Sequence, residues 1–287
     1  MMRKRYVKRA ATTAVALTCS VAGMMAQPGN FSPNGCQSLP GYTALKTALD
    51  AATSTENSGL NNQMWATIVD RDGIVCAVAF SGVNRGAQWP GSRVISAQKA
   101  NTANAFSLDA SSHSNGKGQA TGLALSTANL FSAVQPGGSL FGLQASNPVD
   151  TQVAYEGPSS SFGQASDPMV GNKIGGVNVF GGGLALYATG KVIVGGVGVS
   201  GDTSCTDHDT AWRLRRNLGL DHLSGVGGVS GDPTHPDNII YDIVANAGTG
   251  GTGQNPGGSG GVGTSPSGFG HPKCLNTGNQ AALPAVQ

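Results

Sequence analysis

Met64-Trp65-Ala66-Thr67-Ile68-Val69-Asp70-Arg71-Asp72-Gly73-Ile74-Val75-Cys76-Ala77-Val78-Ala79-Phe80 decides the fold. Met64 to Val69 and Ile74 to Phe80 are β-prone, and the Asp-Gly pair between them suits a tight turn with positive φ. The stretch reads as a β-hairpin. Working outward, Tyr42, Leu45, Leu49 and Ala52 stand at helical spacing and predict an amphipathic helix over Tyr42 to Ala52. Ser92 to Phe106 carries Val94, Ile95, Ala97, Ala100, Ala103 and Phe106 on a helical ladder, with Ser92 as its N-cap. Leu123, Ser126, Leu130 and Val134 predict a third helix over Leu123 to Val134, stopped by Pro136-Gly137-Gly138. A second hairpin joins Leu184–Tyr187 to Val192–Val199 through Ala188-Thr189-Gly190-Lys191. A helix over Asp207 to Leu218 follows, with Thr206 and Asp209 spaced as a capping box. The order β-β-α-α-β-β-α predicts an α/β (α+β) fold in which helices pack on an antiparallel sheet.

Two stretches fall outside that pattern. From Phe141 to Gly176 the period is lost among Ser, Asn, Pro, Gly and Gln, which predicts a long loop or lid rather than a core element. Beyond Leu220 only Ile239 to Val244 is apolar, and the Gly/Thr/Ser/Pro tract from Ala247 to Gly270 reads as a linker tethered by Cys274.

The N-terminus has the pattern of a secretory signal peptide. Arg3, Lys4, Arg5, Lys8 and Arg9 precede an uncharged run from Ala10 to Ala22 that is too short to span a bilayer, and cleavage after Ala22 or Ala26 fits the small residues there. Cys19 lacks the small preceding residue of a lipoprotein signal. Loss of those five cations turns a net charge of +2 into −3. Nucleic acid as a partner is thereby excluded, because phosphate neutralisation needs a basic footprint. The mature chain is expected to be secreted or periplasmic, with no membrane span.

Export leaves an even set, Cys36, Cys76, Cys205 and Cys274, in an oxidising compartment, which predicts two disulfides. Cys36 precedes the first helix and Cys76 follows the hairpin turn. Cys36–Cys76 with Cys205–Cys274 is therefore preferred, with Cys36–Cys274 and Cys76–Cys205 as the competing arrangement.

Most chemical motifs have plainer explanations. Gly196-Val197-Gly198-Val199-Ser200-Gly201 matches G-x-G-x-x-G but closes a hairpin instead of opening a parallel βαβ unit, so close backbone packing explains it better. Ser96-Ala97-Gln98-Lys99 matches S-x-x-K without the companion motifs of acylating enzymes, and reads as helix surface. Asp207-His208-Asp209 reads as capping carboxylates beside a solvated histidine, although His208 is also a candidate axial ligand to haem iron. His113, His222, His235 and His271 show no metal-ligand spacing. Arg213, Arg215 and Arg216 complement a helix C-terminus, or fork onto ligand carboxylates. Trp89-Pro90-Gly91-Ser92-Arg93 places an aromatic at a helix start where anions bind; Trp65 and Trp212 are expected in the core. No nucleophile–base pair is visible.

Four blocks together are more specific than any of these motifs. Val69-Asp70-Arg71-Asp72-Gly73-Ile74 leading to Ser81-Gly82, and Gln98-Lys99-Ala100-Asn101-Thr102-Ala103 within the second helix, resemble conserved blocks of the GlcG/HbpS-like proteins. Gly181-Gly182-Gly183-Leu184-Ala185-Leu186 and Gly195-Gly196-Val197-Gly198-Val199-Ser200-Gly201 resemble two more, in the same order and spacing. The resemblance spans Tyr42 to Leu220. It implies a profilin-like domain that forms homo-oligomers and whose members bind haem, some with haem degradation or redox sensing ascribed to them. On that resemblance Lys99, Thr102, Phe106, Gly181, Gly182 and Gly183 are the expected cofactor-binding residues; Arg213, as a fork for propionates, and His208, as the metal-ligand candidate, are added from the residues themselves. Tyr155 and Met169, inside the insertion that sets this chain apart, are also placed to reach an iron.

The chain is thus expected to divide into a signal peptide (1–26), a loop (27–41), the GlcG/HbpS-like domain (42–220) and a Gly-rich tail (221–287). Its expected role is an exported haem-binding protein that sequesters, carries or senses haem, with oxidative haem degradation if it is an enzyme. The alternative is an oligomeric binding module for another small molecule or a partner protein.

Overall fold

At the first turn Gly73 adopts φ +80° and its N–H donates to the Asp70 carbonyl at 3.0 Å. Asp70 is buried yet satisfied, since its Oδ1 accepts from the N–H groups of Asp72 and Ile74 at 3.0 and 2.9 Å. The computed structural model describes residues 35–112, 121–244 and 263–287. The expected signal peptide with its cut sites, Cys19, His113 and the Gly-rich stretch 245–262 lie outside the described residues.

In chain order the main elements are α1 (Tyr42–Thr55), β1 (Trp65–Asp70), β2 (Val75–Phe80), α2 (Ser92–Phe106), a single-turn α3 (Thr151–Ala154), β3 (Gly183–Ala188), β4 (Val192–Ser200) and α4 (Ser204–Asn217). The strands form one antiparallel sheet in the order β2-β1-β4-β3, the α/β architecture that the sequence predicts. Side chains alternate along each strand. Ala66 and Ile68 of β1 and Val197 and Val199 of β4 face α1 and α4, joining Leu45, Leu49, Trp212 and Leu214 in the larger apolar core. Trp65, Val69, Val78 and Phe80 face the other way, towards Val94, Ala97 and Ala100 of α2.

The Gly-Val alternation of β4 explains how α2 seats itself. Gly196 and Gly198 lie beneath α2, where an added Cβ would overlap the carbonyl oxygens of Ala100 and Ser96. Glycine lets the helix backbone rest directly on the strand, as the close-packing reading of this motif expects. Ser96 and Lys99 are fully buried there, which corrects their reading as helix surface: without side chains on β4, the inward face of α2 reaches past the strand.

The register of β1 with β2 shifts between Ile68 and Val69, leaving Cys76 unpaired in the ladder. This bulge turns Cys76 towards the larger core and Cys36. The structure contains the disulfides Cys36–Cys76 and Cys205–Cys274.

Local readings need four corrections. Leu123 to Val134 is not one α-helix: Leu123 and Ala124 are drawn into bridges with Leu108 and Gly228, and 3-10 turns follow at Thr127–Leu130 and Ser132–Val134, the first started by a Ser126–Asn129 capping box. Ser92 is the first helical residue, after Gly91. Helix α4 starts at Ser204 behind Thr203, and Thr206 bonds the Ser58 and Thr203 hydroxyls instead of capping.

The fourth correction concerns the 141–176 insertion, which does contribute to the core. Ala154, Met169 and Ile174 are buried in the apolar cluster beneath α2. The insertion wraps the Arg93 side chain: Asp167 pairs with the guanidinium, with Arg93 Nε 2.8 Å from Asp167 Oδ2, the Ala154 carbonyl accepts from Nη1 at 2.7 Å, and the Phe162 ring stacks 3.7 Å away. Asp167 also accepts from the Gly163 and Met169 N–H groups at 2.6 and 2.9 Å. A buried ion pair satisfied this fully folds polar sequence into the interior.

Residues beyond Leu220 return to α4. Leu223, Val226, Leu283 and Val286 enter the larger core, and the Trp212 indole donates to the Pro284 carbonyl at 2.9 Å. No helix among the described residues is long and apolar enough to cross a membrane.

Candidate functional site

Residues 177–183 cross from the insertion to β3, and most of the expected site residues converge on them. Thr102 donates to the Gln98 carbonyl at 2.7 Å and accepts from Asn178 N–H at 3.0 Å. Phe106 packs against the cluster that contains Val177 and Val179. Thr127 donates to the Phe180 carbonyl and accepts from Gly183 N–H. Gly182, at φ +112°, lies against the Val199 carbonyl and Asp207, while Gly183 lies against Thr127 and the Lys99 carbonyl. Gly181 lies over the first turn of α4, against Ser204 and His208.

Beneath the glycines is a buried pair, with Lys99 Nζ 2.6 Å from Asp207 Oδ2 and donating to the Val199 carbonyl at 3.1 Å. Burial pushes the Lys99 ammonium down and the Asp207 carboxyl up to about 6, each opposed by its partner. Asp207 also accepts from Asp202 N–H at 2.9 Å. It holds the approach to α4 together.

His208 is fully buried, which corrects its reading as a solvated histidine; the residues after Leu220 cover it. Neither ring nitrogen meets a partner at hydrogen-bond geometry among the described residues. Burial pushes its imidazole down to about 3, with Asp237 and a contact from the Asn238 side chain opposing, so the ring is neutral at physiological pH. Its ring centroid lies 5.9 Å from that of Trp212.

The arginines of α4 already hold carboxylates of this chain. Arg215 forks onto Asp237 at 2.6 and 3.0 Å, Arg213 reaches Glu56 at 2.5 Å, and Arg216 reaches Asp221 at 3.0 Å. Arg213 therefore lies apart from the glycine crossing. Met169 is in the core and Tyr155 is mostly exposed, and neither joins His208.

Sequence reading missed one arrangement. Ser204 Oγ lies 2.8 Å from His271 Nε2, and His271 Nδ1 lies 2.6 Å from the Pro272 carbonyl. The sequence separation of 67 hides the Ser204–His271 pair from any local pattern.

The neutral imidazole of His208 is a donor of the kind that haem iron takes, while the guanidiniums that would suit propionates are held by Glu56, Asp237 and Asp221. The enclosure fits less well: His208 has no exposed surface, and cavities of about 360 and 570 Å³ open elsewhere, beside Ser139 and Phe269 and beside Thr43 and Leu218. A porphyrin reaches His208 only if the segment carrying Asp237 and Asn238 withdraws.

Fold and site define an α/β domain with a four-stranded antiparallel sheet whose glycines serve backbone approach. The chain belongs to the HbpS-like haem-degrading protein family, whose model matches residues 42–214. No curated protein matches the sequence. Among solved structures it is similar to Klebsiella pneumoniae protein ORFY, at 22% identity over 63% of this chain and 90% of that one, with a TM-score of 0.39. It is also similar to a PduOC–haem complex, at 21% identity over 62% and 91%, TM-score 0.39, and to a double mutant of Streptomyces reticuli HbpS, at 15% identity over 74% and 99%, TM-score 0.37.

Proposed function

We propose that this chain is an exported haem-binding protein in which His208 ligates the iron. The observation that carries the reading is the buried, neutral imidazole of His208, which among the described residues has only the Asn238 side chain beside it as a polar partner, in a chain of the HbpS-like family. Polar groups buried this deeply are nearly always fully hydrogen-bonded, so an imidazole with at most one such contact has a nitrogen to offer a ligand. Arg213 and Arg215 would hold the propionates in exchange for Glu56 and Asp237. Lys99, Thr102, Phe106 and Gly181 to Gly183 hold the 177–183 crossing as the wall of the site. The bound cofactor supplies redox-active iron, and the protein's part is to sequester, carry or sense it. Export is supported by the basic and apolar N-terminal pattern and by two disulfides. Self-assembly, which the family resemblance implies, would cover exposed apolar residues such as Val83, Phe141 and Tyr155.

Titration of the full chain with hemin tests this directly. A saturable Soret band is expected, shifted in His208→Ala and unshifted in His222→Ala. Absence of a saturable band overturns haem binding and favours the alternative of a different small-molecule or protein partner; an unshifted band in His208→Ala overturns the ligand assignment alone.

A further inference from the structure

The Ser204–His271 contact has a defined proton direction. A carbonyl oxygen only accepts, so the proton on the imidazole resides on Nδ1 and points at Pro272 O. Nε2 therefore carries a lone pair, and the Ser204 hydroxyl donates to it across 2.8 Å. A serine whose proton is already directed at a neutral imidazole, itself oriented through its other nitrogen, has the geometry of an activated nucleophile. Burial pushes the His271 imidazole down to about 4, which keeps it unprotonated at neutral pH.

The surroundings suit acyl transfer. Ser204 opens the 14-residue helix α4, whose positive end favours negative charge developing beside it; the next N–H, that of Cys205, is held by Cys274 Sγ at 3.2 Å. Gly181 N–H donates to the Ser204 hydroxyl oxygen at 2.6 Å and fixes its position. His271 is buried against the Phe131 ring, at 5.0 Å between centroids, whereas Ser204 is partly exposed and neighbouring Phe180 is 47% exposed. The Cys205–Cys274 disulfide joins the residue after Ser204 to the segment after His271 and holds the two side chains together.

We propose that Ser204 and His271 are a nucleophile–base pair that takes the acyl group of small neutral carboxylic esters, with Phe180 receiving the acyl chain. Ser204 Oγ bonds to the ester carbonyl carbon as its proton passes to His271 Nε2. The carbon–alkoxy bond then breaks and the leaving alcohol takes that proton. Water, deprotonated by the same nitrogen, releases the carboxylic acid and restores the serine. Pro272 offers a carbonyl where a carboxylate would stabilise the imidazolium more strongly, so acylation is expected to outpace turnover.

The test treats the full, oxidised chain with a fluorophosphonate, in which a serine O–P bond forms as P–F breaks, and maps the adduct by peptide mass spectrometry. The expected result is one adduct on Ser204, formed at least ~100-fold more slowly in His271→Gln and absent from Ser204→Ala, with 4-nitrophenyl acetate hydrolysis lost in parallel. No adduct on Ser204 in the unsubstituted chain overturns the proposal, as does an unchanged labelling rate in a folded His271→Gln. Should His271→Gln fail to fold, the pH profile of the unsubstituted chain decides: labelling that switches on with an apparent pKa near that of a buried histidine supports the pair, and labelling that climbs steadily to high pH overturns it.

Discussion

The two faces of the sheet are held by different means. On the α1/α4 face, Leu45, Leu49, Ile68, Val197, Val199 and Leu214 fill space with side-chain volume. On the α2 face, glycines of β4 bring backbone to backbone, and buried polar contacts complete the packing: Thr67 to Ser96 at 2.7 Å, Lys99 to Asp207, and Arg93 to Asp167. The difference teaches where the fold tolerates change. An apolar layer relaxes partly around a lost methyl group, whereas a helix seated on a strand cannot admit even one.

The largest effect is therefore expected from Gly198→Val, which drives carbon atoms into the Ser96 carbonyl and Ala100 backbone. A loss of more than about 5 kcal/mol, read as insoluble protein or lost near-UV dichroism, is the expected outcome. Gly91→Ala, with open space at its Cβ, serves as control. Folded Gly198→Val protein would break the comparison.

Leu49→Ala on the opposite face should unfold cooperatively with a loss of about 3 kcal/mol in a denaturant titration. A loss as complete as that of Gly198→Val would mean that the two faces are equally rigid.

The smallest effect sharpens the comparison at the outer side of α4. Burial pushes the Asp209 carboxyl up to about 7, with Glu56 adding and Gln280 and Arg213 opposing. The folded chain then holds a proton that an unfolded carboxylate, near 3.9, releases. Stability should accordingly fall as pH rises from about 4 through about 7 and level off above. Asp209→Asn should remove this contribution, lifting Tm relative to the unsubstituted chain by ~5 °C at pH 8 but not at pH 4. Parallel profiles would exclude Asp209 as the titrating group.

Features set by neighbours in sequence were legible. The hairpins announce themselves through Asp72-Gly73 and the alternation around Gly190, and Leu45, Leu49 and Ala52 mark α1 by spacing alone. Readings failed where distant partners decide. Ser126 and Asn129 close a short 3-10 turn while Leu108 and Gly228 pull Leu123 and Ala124 away from a helix. Arg93 and Asp167 meet across 74 residues, so nothing local in the insertion reveals that it folds around an arginine. Likewise, His208 looks solvated beside two aspartates until the residues after Leu220 cover it, and Ser204 looks like an ordinary helix start until His271 returns.

The Cys205–Cys274 bridge, which holds Ser204 and His271 together, also closes a covalent circle through α4 and the returning tail. A protease that cuts the chain once anywhere inside that circle opens it without freeing an end. The nicked protein would run as a single band on a non-reducing gel and part into two on reduction, so an unchanged non-reducing band cannot certify an uncut backbone; without reduction, only the mass of one added water betrays the cut.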